Sequence, residues 1–208
     1  MNFEVLTARL LRLIRLDTSV FDEVRMDPTA TATSFIVVVA ASFAAGFGGF
    51  LWWLVQDFPD SGKVFLQSLI FGSILCIVLW GVWFFLVYII LTQLFRERAD
   101  LQQLLRTMGF GSAPLALTLL MFVPGIDFAI GLASLALLFG LTTLAIQAAT
   151  TADPARVLVA NLIGFTIWAM VLTLLVSEDR FAAPGVFLFN APKEALQSIT
   201  SLPGILGG

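Results

Sequence analysis

Histidine is absent from this sequence of 208 residues, and cysteine occurs once, as Cys76. Without histidine the chain lacks the usual general base, the commonest zinc ligand and the side chain that titrates near neutral pH. One cysteine inside an apolar run can build neither a disulfide framework nor a cysteine metal site within one chain. We therefore interpret Cys76 as a small buried hydrophobe and expect no catalytic residue, no cofactor and no metal. The chain is predicted not to be an enzyme.

Charged residues are also scarce in this chain. They make up 12% of it, and hydrophobic residues make up 59%, whereas charged residues in soluble domains reach about 25%. This composition, with a mean hydropathy of +0.99, excludes a water-soluble globular protein. The net charge of −3 leaves no basic surface for a nucleic-acid backbone, which argues against nucleic-acid binding.

Long apolar runs dominate the sequence instead. Five of them occupy residues 34–55, 64–95, 108–123, 128–149 and 158–176. Each meets or approaches the roughly 20 residues that a helix needs to cross about 30 Å of hydrocarbon. The sequence predicts an all-α polytopic membrane bundle of about five transmembrane helices. This domain, residues 34–176, follows an N-terminal segment, 1–33, and precedes a tail, 177–208.

Two of the five runs have unusual lengths. The second run, with about 31 residues at 1.5 Å each, exceeds the bilayer by roughly half, so it should tilt strongly or project into the cytoplasm. The third run is short and contains Pro114. It is either a kinked span or a re-entrant segment paired with the fourth run through the turn Pro124-Gly125. We favour a complete third span.

The N-terminal segment has an amphipathic pattern. Over residues 2–16 apolar side chains repeat at helical spacing, with charged residues on the other side. Such a helix either lies in the membrane interface or packs on a partner or on the cytoplasmic loops. A second short helix, 19–26, should end at Asp27-Pro28, since the residue before a proline disfavours helical dihedrals.

Two further predictions concern helix ends. Asp127 follows the Pro-Gly turn and is interpreted as the N-cap carboxylate of the fourth helix. In the tail, Pro192 at a first helical position supports a short amphipathic helix over 192–201, resting on the outer membrane surface or on a partner. The five runs themselves contain no charged side chain, which argues against an ion or substrate path.

The distribution of Lys and Arg predicts the orientation of the bundle, since cytoplasmic loops collect positive charge. In the five-span arrangement, Lys63, Arg180 and Lys193 fall on one side of the membrane. Eight arginines fall on the other side: Arg9, Arg12, Arg15, Arg25, Arg96, Arg98, Arg106 and Arg156. We therefore predict a cytoplasmic N-terminus and a C-terminus outside. If the third and fourth runs formed one re-entrant hairpin on the cytoplasmic side, Arg156 would still be cytoplasmic, so the count orients only the first two spans.

Small and polar residues within the runs predict helix contacts. Ala41, Ala45 and Gly49 recur at every fourth position of the first run. They form a smooth face on which another helix can approach closely, within the chain or between chains. Gln147 and Asn161 flank one predicted cytoplasmic loop, where they could meet, and both are interpreted as hydrogen-bonding contacts between helices.

Three stretches resemble the Yip1 domain family in a bacterial form. They are FDEVRMDPTATATSF before the first span, FRERADLQQLLRTMGFGSAPLAL leading into the third, and LAIQAATTADPARVLVANLIGFTIW joining the last two. The resemblance covers roughly residues 20 to 176 and implies a five-helix domain with a cytoplasmic N-terminus, in the bacterial inner membrane. Eukaryotic members bind small GTPases through a long hydrophilic arm. Here that arm has only about 33 residues, so a small-GTPase partner is not expected.

Three hypotheses for function follow. The first is a non-enzymatic integral membrane protein that acts through helix packing with itself or with other membrane proteins, as an organising or accessory component among membrane lipids. The second is an accessory subunit of a large respiratory or photosynthetic complex. The third is a small transporter or channel, whose pore would be lined by Gln147, Asn161 and backbone carbonyls.

Overall fold

The structure, a computed structural model, describes residues 3–55, 61–177 and 180–181. It confirms the predicted bundle, because five helical segments are long and apolar enough to cross a membrane: Ala30–Val55, Gly62–Leu94, Leu101–Phe122, Asp127–Ala149 and Pro154–Leu172. The chain is therefore a multi-pass integral membrane protein of helical fold. Two antiparallel strands of two residues each, Val176–Ser177 and Arg180–Phe181, follow the last helix. The predicted tail helix, 192–201, lies outside the described residues.

Two short helices precede the first span. Helix α1 spans Phe3–Ile14 and helix α2 spans Ser19–Met26. The chain then becomes extended at Asp27, whose carboxylate accepts a hydrogen bond from the backbone N–H of Thr29 at 2.9 Å. Asp27 as N-cap and Pro28 at the first helical position are a favourable helix start. Helix α3, Ala30–Val55, therefore begins four residues before the predicted span at residue 34.

The second span is overlong, as predicted. It is one continuous helical segment of 33 residues, Gly62–Leu94, which corresponds to about 50 Å at 1.5 Å per residue. Its parts are α4 (Ser61–Val64), a π-helix (Phe65–Gly72), α5 (Ser73–Ile89) and a second π-helix (Ile90–Leu94). The first π-helix lies where this span contacts α3: Ser68 Oγ donates to the carbonyl of Gly46 at 3.4 Å.

The third span begins earlier than its apolar run. Helix α6 spans Leu101–Gly111 and has Asp100 as its N-cap. The Asp100 side chain accepts a hydrogen bond from the backbone N–H of Gln103. After Ser112 the chain tightens into a 3₁₀-helix, Ala113–Phe122. Pro114 has no N–H to donate, and its carbonyl accepts a hydrogen bond from Ser134 Oγ of the fourth span at 2.8 Å.

The third span runs in the same direction as the first. A Cβ added at Gly109 would lie 2.7 Å from Ser34 Cβ, and one added at Gly48 would lie 2.3 Å from the Thr118 carbonyl oxygen. Contact is therefore kept from residue 34 to residue 48 of α3, a rise of about 21 Å along the helix. A re-entrant hairpin would turn back sooner, so this geometry favours the complete span.

Helix α7, Asp127–Ala149, and helix α8, Pro154–Leu175, complete the bundle. The turn before α7 uses Gly125 at φ 86°, a backbone conformation that glycine adopts without strain. The N-cap position is taken by Ile126, with no side-chain capping bond. The prediction that Asp127 is the N-cap is therefore wrong. Asp127 is the first residue of the helix, where its negative charge still suits the helix dipole.

The expectation of charge-free spans also needs correction. Helices begin at their capping residues and not at the edge of an apolar run, so four charged residues lie inside the helical segments: Lys63, Arg106, Asp127 and Arg156. All four lie within the first six residues of their segments. They mark the ends of the spans and leave the middle of each one uncharged.

Aromatic side chains fill the centre of the bundle. Trp83 and Trp168 are 1% and 2% exposed, with ring centroids 5.7 Å apart, and Phe165 packs against both. A Cβ added at Gly164 would lie 2.2 Å from Trp83 Cδ1. The bare glycine backbone of α8 therefore admits the indole of the second span. Cys76 is 1% exposed in the same core, as its interpretation as a buried hydrophobe requires.

Candidate functional site

The small-residue face of α3 is used inside the chain. Ala41 and Ala45 are 3% and 0% exposed, and Gly49 is buried. A Cβ added at Gly46 would lie 2.0 Å from Ser73 Oγ of the second span, and Gly48 lies against the 3₁₀ segment of the third. Gly46 and Gly48, which lie beside this face, therefore contact the chain's own second and third spans. The face that favoured partner binding in the sequence is buried within the chain.

Asn161 is the centre of a polar network within the bundle. It is fully buried, and its Oδ1 accepts a hydrogen bond from Trp83 Nε1 at 3.0 Å. Its Nδ2 donates to the hydroxyls of Thr142 and Thr143 at 3.0 and 2.8 Å. These hydroxyls donate in turn to carbonyls of their own helix. The network joins the second, fourth and fifth spans, which is the role predicted for Asn161.

Gln147 does not share this network. Its Nε2 donates to the carbonyl of Ala152 at 3.0 Å, so it closes the loop between α7 and α8. Asn161 lies two turns into α8 and bonds to residues 139–143 instead. The two side chains make different hydrogen bonds and do not bond to each other, so the expectation of a contact between them is wrong.

The arginine-rich end of the bundle is built from eight arginines: Arg9, Arg12, Arg15, Arg25, Arg96, Arg98, Arg106 and Arg156. Its first part joins α1 to α2. Arg9, whose side chain is 8% exposed, pairs with Glu23 at 2.9 Å and with Asp27 at 2.8 Å. Arg12 pairs with Asp17 at 2.8 Å and with Glu23 at 2.7 Å. Glu23 thus bridges two arginines of the neighbouring helix.

These contacts lower the pKa values of the carboxylates. Hydrogen bonds from Ser19 and Arg12 lower the pKa of Asp17 to about 2. Those from Arg12 and Arg9 lower the pKa of Glu23, and those from Thr29 and Arg9 lower the pKa of Asp27. All three groups are favoured in their charged form, so the α1–α2 link is intact at neutral pH.

A second part of this end fixes α2 to the spans. Arg106, only 6% exposed, donates from Nε to Thr31 Oγ1 at 2.8 Å and from Nη1 to the carbonyl of Arg25 at 3.1 Å. Arg25 donates from Nη1 to the carbonyl of Ala148 at 2.7 Å. Arg25 and Arg106 together therefore connect α2 with the first, third and fourth spans.

The remaining loops close the same end. Arg156 of α8 pairs with Glu97, and Ala99 forms an isolated antiparallel bridge with Thr150. Arg96 has φ 55°, which turns the chain out of the second span, and the N–H of Glu97 donates to the carbonyl of Leu91 at 2.9 Å. Both loops on this side of the bundle are therefore held in place by contacts between them.

An apolar groove lies between α1 and the spans and is called the α1 groove below. It has a volume of ≈ 520 Å³, and every residue that lines it is apolar. One wall is formed by Leu10 and Leu13 of α1 and by Leu16 just after it. The opposite wall includes Ala40 and Ala44 of α3, together with residues of the third and fourth spans. The small side chains of α3 on this side leave the groove open.

Sequence reasoning missed two structural arginines, Arg9 and Arg106. Arg9 lies at helical spacing between Leu6 and Leu13, and all three are buried, so its position on the apolar side of α1 was a readable signal. Arg106 had no comparable signal, because its partners, Thr31 and the carbonyl of Arg25, are more than 70 positions away in the chain.

No family model matches this sequence. No curated protein and no solved structure matches the chain either. The resemblance to the Yip1 domain family therefore rests on the three quoted stretches and on the five-span arrangement, and it stays a prediction.

Proposed function

We propose that this chain is a non-enzymatic multi-pass protein of the bacterial inner membrane that organises or accompanies other membrane proteins. The observation that carries the proposal is the platform formed by α1 and α2 at the arginine-rich end. Ion pairs and buried arginines hold these two helices on the bundle, while Phe3, Leu11 and Ile14 of α1 are 65%, 57% and 77% exposed. A fixed helix with exposed apolar side chains is suited to a membrane surface or to a partner.

The proposed orientation places this platform on the cytoplasmic side. Contacts of Arg9, Arg12, Arg25, Arg106 and Arg156 hold α1, α2 and the loops together at this end of the bundle, and cytoplasmic segments collect positive charge. We further propose that α1 lies in the membrane interface, where its exposed apolar side chains contact lipid chains and the apolar surfaces of neighbouring membrane proteins. The Yip1-like character of the domain belongs to the same proposal.

Purification of the tagged full chain from its native membrane in mild detergent, followed by mass spectrometry, tests the function. The proposal expects stoichiometric co-purification of at least one membrane protein, and expects Leu11→Glu on the exposed face of α1 to reduce it. The matched control is Leu101→Glu, an exposed position at the first residue of α6, which should leave that capture intact.

Other outcomes of the same purification would contradict the proposal. Capture of a complete respiratory or photosynthetic complex would establish the accessory-subunit alternative instead. A chain that is isolated alone and carries solute flux in liposomes would be a transporter or channel.

A further inference from the structure

We propose that the α1 groove binds one acyl chain of an anionic phospholipid, with the lipid headgroup at Arg15. The inference rests on the proposed position of α1 in the membrane interface, but it does not depend on any protein partner. It assigns to this region a ligand of defined chemistry, a diacyl phospholipid with a net negative headgroup.

The lining of the groove decides that its occupant is apolar. A buried water needs two to four polar partners, and the groove is lined entirely by apolar residues. Left empty, such a cavity would lose dispersion contacts along its whole lining. The residues around it belong to α1 and to three membrane spans, so the apolar molecules within reach are lipid chains and other membrane helices.

The size of the groove decides between those two occupants. A helix with its side chains is about 10 to 12 Å wide, so a volume of ≈ 520 Å³ holds little more than about one helical turn. It falls within the range of about 300 to 1,000 Å³ that is typical of small-ligand sites. An extended lipid chain, a few ångströms across, fits where a partner helix does not.

Arg15 supplies the charge that selects the headgroup. It stands between Ile14 and Leu16, which both line the groove. Arg9 and Arg12, the two arginines of α1, are held by carboxylates. Arg15 is exposed and makes no ion pair within residues 3–55, 61–177 and 180–181. A free cation next to an apolar groove is complementary to a phosphate headgroup above its acyl chain.

The backbone conformation at Leu16 is a further reason to regard the groove as a binding site. Leu16 has φ 58°, which is unfavourable for a bulky residue. The N–H of Leu16 donates to the Leu13 carbonyl at 2.9 Å and the N–H of Asp17 to the Arg12 carbonyl at 3.0 Å, the Schellman pattern in which glycine usually holds this position. The leucine at this position has a strained backbone, and its side chain lines the groove.

Native mass spectrometry of the full chain tests the proposal. The chain is purified in mild detergent, delipidated and incubated with phosphatidylglycerol or phosphatidylcholine. We expect one retained lipid per chain, with phosphatidylglycerol preferred about fivefold, the effect of one basic residue at an anionic surface. Ala44→Phe, or Ala40→Phe at a more exposed position, should fill the groove and abolish retention. Ala136→Phe, at an exposed position of α7 outside the groove, is the matched control.

Two further variants test the headgroup and the backbone. Arg15→Gln should remove the preference for phosphatidylglycerol, whereas Arg98→Gln, an exposed arginine of the same end, should keep it. Leu16→Gly suits the left-handed backbone better, so it should fold at least as well and still retain less lipid. Circular dichroism of each variant checks that helix content is unchanged.

Several results would overturn the lipid site. One is that Ala44→Phe and Ala40→Phe retain as much lipid as the wild type. Another is that Arg15→Gln keeps the preference for phosphatidylglycerol. A third is that the chain forms a dimer that dissociates when the groove is filled. Co-purification of a partner with a chain that retains no lipid would overturn this inference alone. Lipid retention by a chain without partners would overturn only the function proposed above.

Discussion

Trp83 of the second span donates a hydrogen bond from its indole N–H to Oδ1 of Asn161 in the fifth span, at 3.0 Å, across 78 positions of sequence. Both side chains are buried. A polar pair of this kind inside a membrane bundle specifies which helices are neighbours, because neither group has water as an alternative partner.

Asn161→Leu should destabilise the bundle, since it leaves the Trp83 indole N–H without its acceptor and removes the amide donor to two threonine hydroxyls. We expect a loss of about 1 to 3 kcal/mol, measured as a lower unfolding midpoint in a mixed-micelle denaturant titration. In a Trp83→Phe background the same change should have a smaller effect, because the donor is already gone. Equal losses in both backgrounds would show that the pair is not coupled.

Gly48→Ala should weaken the contact between the first and third spans. The added Cβ would lie 2.3 Å from the Thr118 carbonyl oxygen, and backbone cannot move aside as a side chain end can, so a loss of about 1 to 3 kcal/mol is expected. Gly81→Ala is the matched control, because nothing lies within 4 Å of its added Cβ. It should stabilise its helix by up to about 1 kcal/mol. Similar effects of the two changes would contradict the close approach.

Acid should loosen the α1–α2 platform before it disturbs the spans. The pKa of Asp17 is lowered from 3.8 to about 2, and those of Glu23 and Asp27 are lowered as well. A lowered pKa contributes stability above the unfolded-state value, and this contribution is lost as pH falls through the folded-state value. The link should therefore weaken between about pH 4 and pH 2.

Spin labels at Leu11→Cys and Thr151→Cys, in a Cys76→Ala background, measure this directly. The distance distribution between them should be narrow at neutral pH and broaden over that acid range. It should also broaden in high salt, because the Arg12 side chain of the network is 37% exposed and its ion pairs are screened. A distribution that stays unchanged down to about pH 2 would refute the role of the ion pairs.

Arg106→Gln should release α2 from the bundle. It removes the hydrogen bonds to Thr31 and to the Arg25 carbonyl, and such charged bonds contribute about 1.5 to 3 kcal/mol. Faster amide hydrogen exchange in α2, detected by mass spectrometry, is the expected result. Arg98→Gln, an exposed arginine of the same end, should leave the exchange of α2 unchanged.

Cysteine labelling tests the orientation. In a Cys76→Ala background, a membrane-impermeant maleimide should label Lys193→Cys from outside the cell and Arg98→Cys only after the membrane is opened. Labelling of Lys193→Cys only from the cytoplasmic side would show that the proposed five-span orientation is wrong.

The number of spans was predictable from the sequence, and so were the excess length of the second and the break at Asp27-Pro28. Each depends on a local property: the transfer free energy of a run of side chains, the rise of a helix, or the dihedral restriction before proline. The starts of α3 and α6 were missed because capping by Asp27 and Asp100 extends a helix beyond its apolar run.

Tertiary structure alone decided which surfaces meet. Ala41, Ala45 and Gly49 predict that some helix approaches α3, but only the structure shows that Gly46 and Gly48 beside them contact the second and third spans. Gln147 and Asn161 are near in sequence and turn to different partners. The contacts of Arg106 and the α1 groove depend in the same way on the packing of separate elements. Hydropathy is a property of each residue, whereas packing depends on partners that are distant in the sequence and cannot be identified from a local pattern.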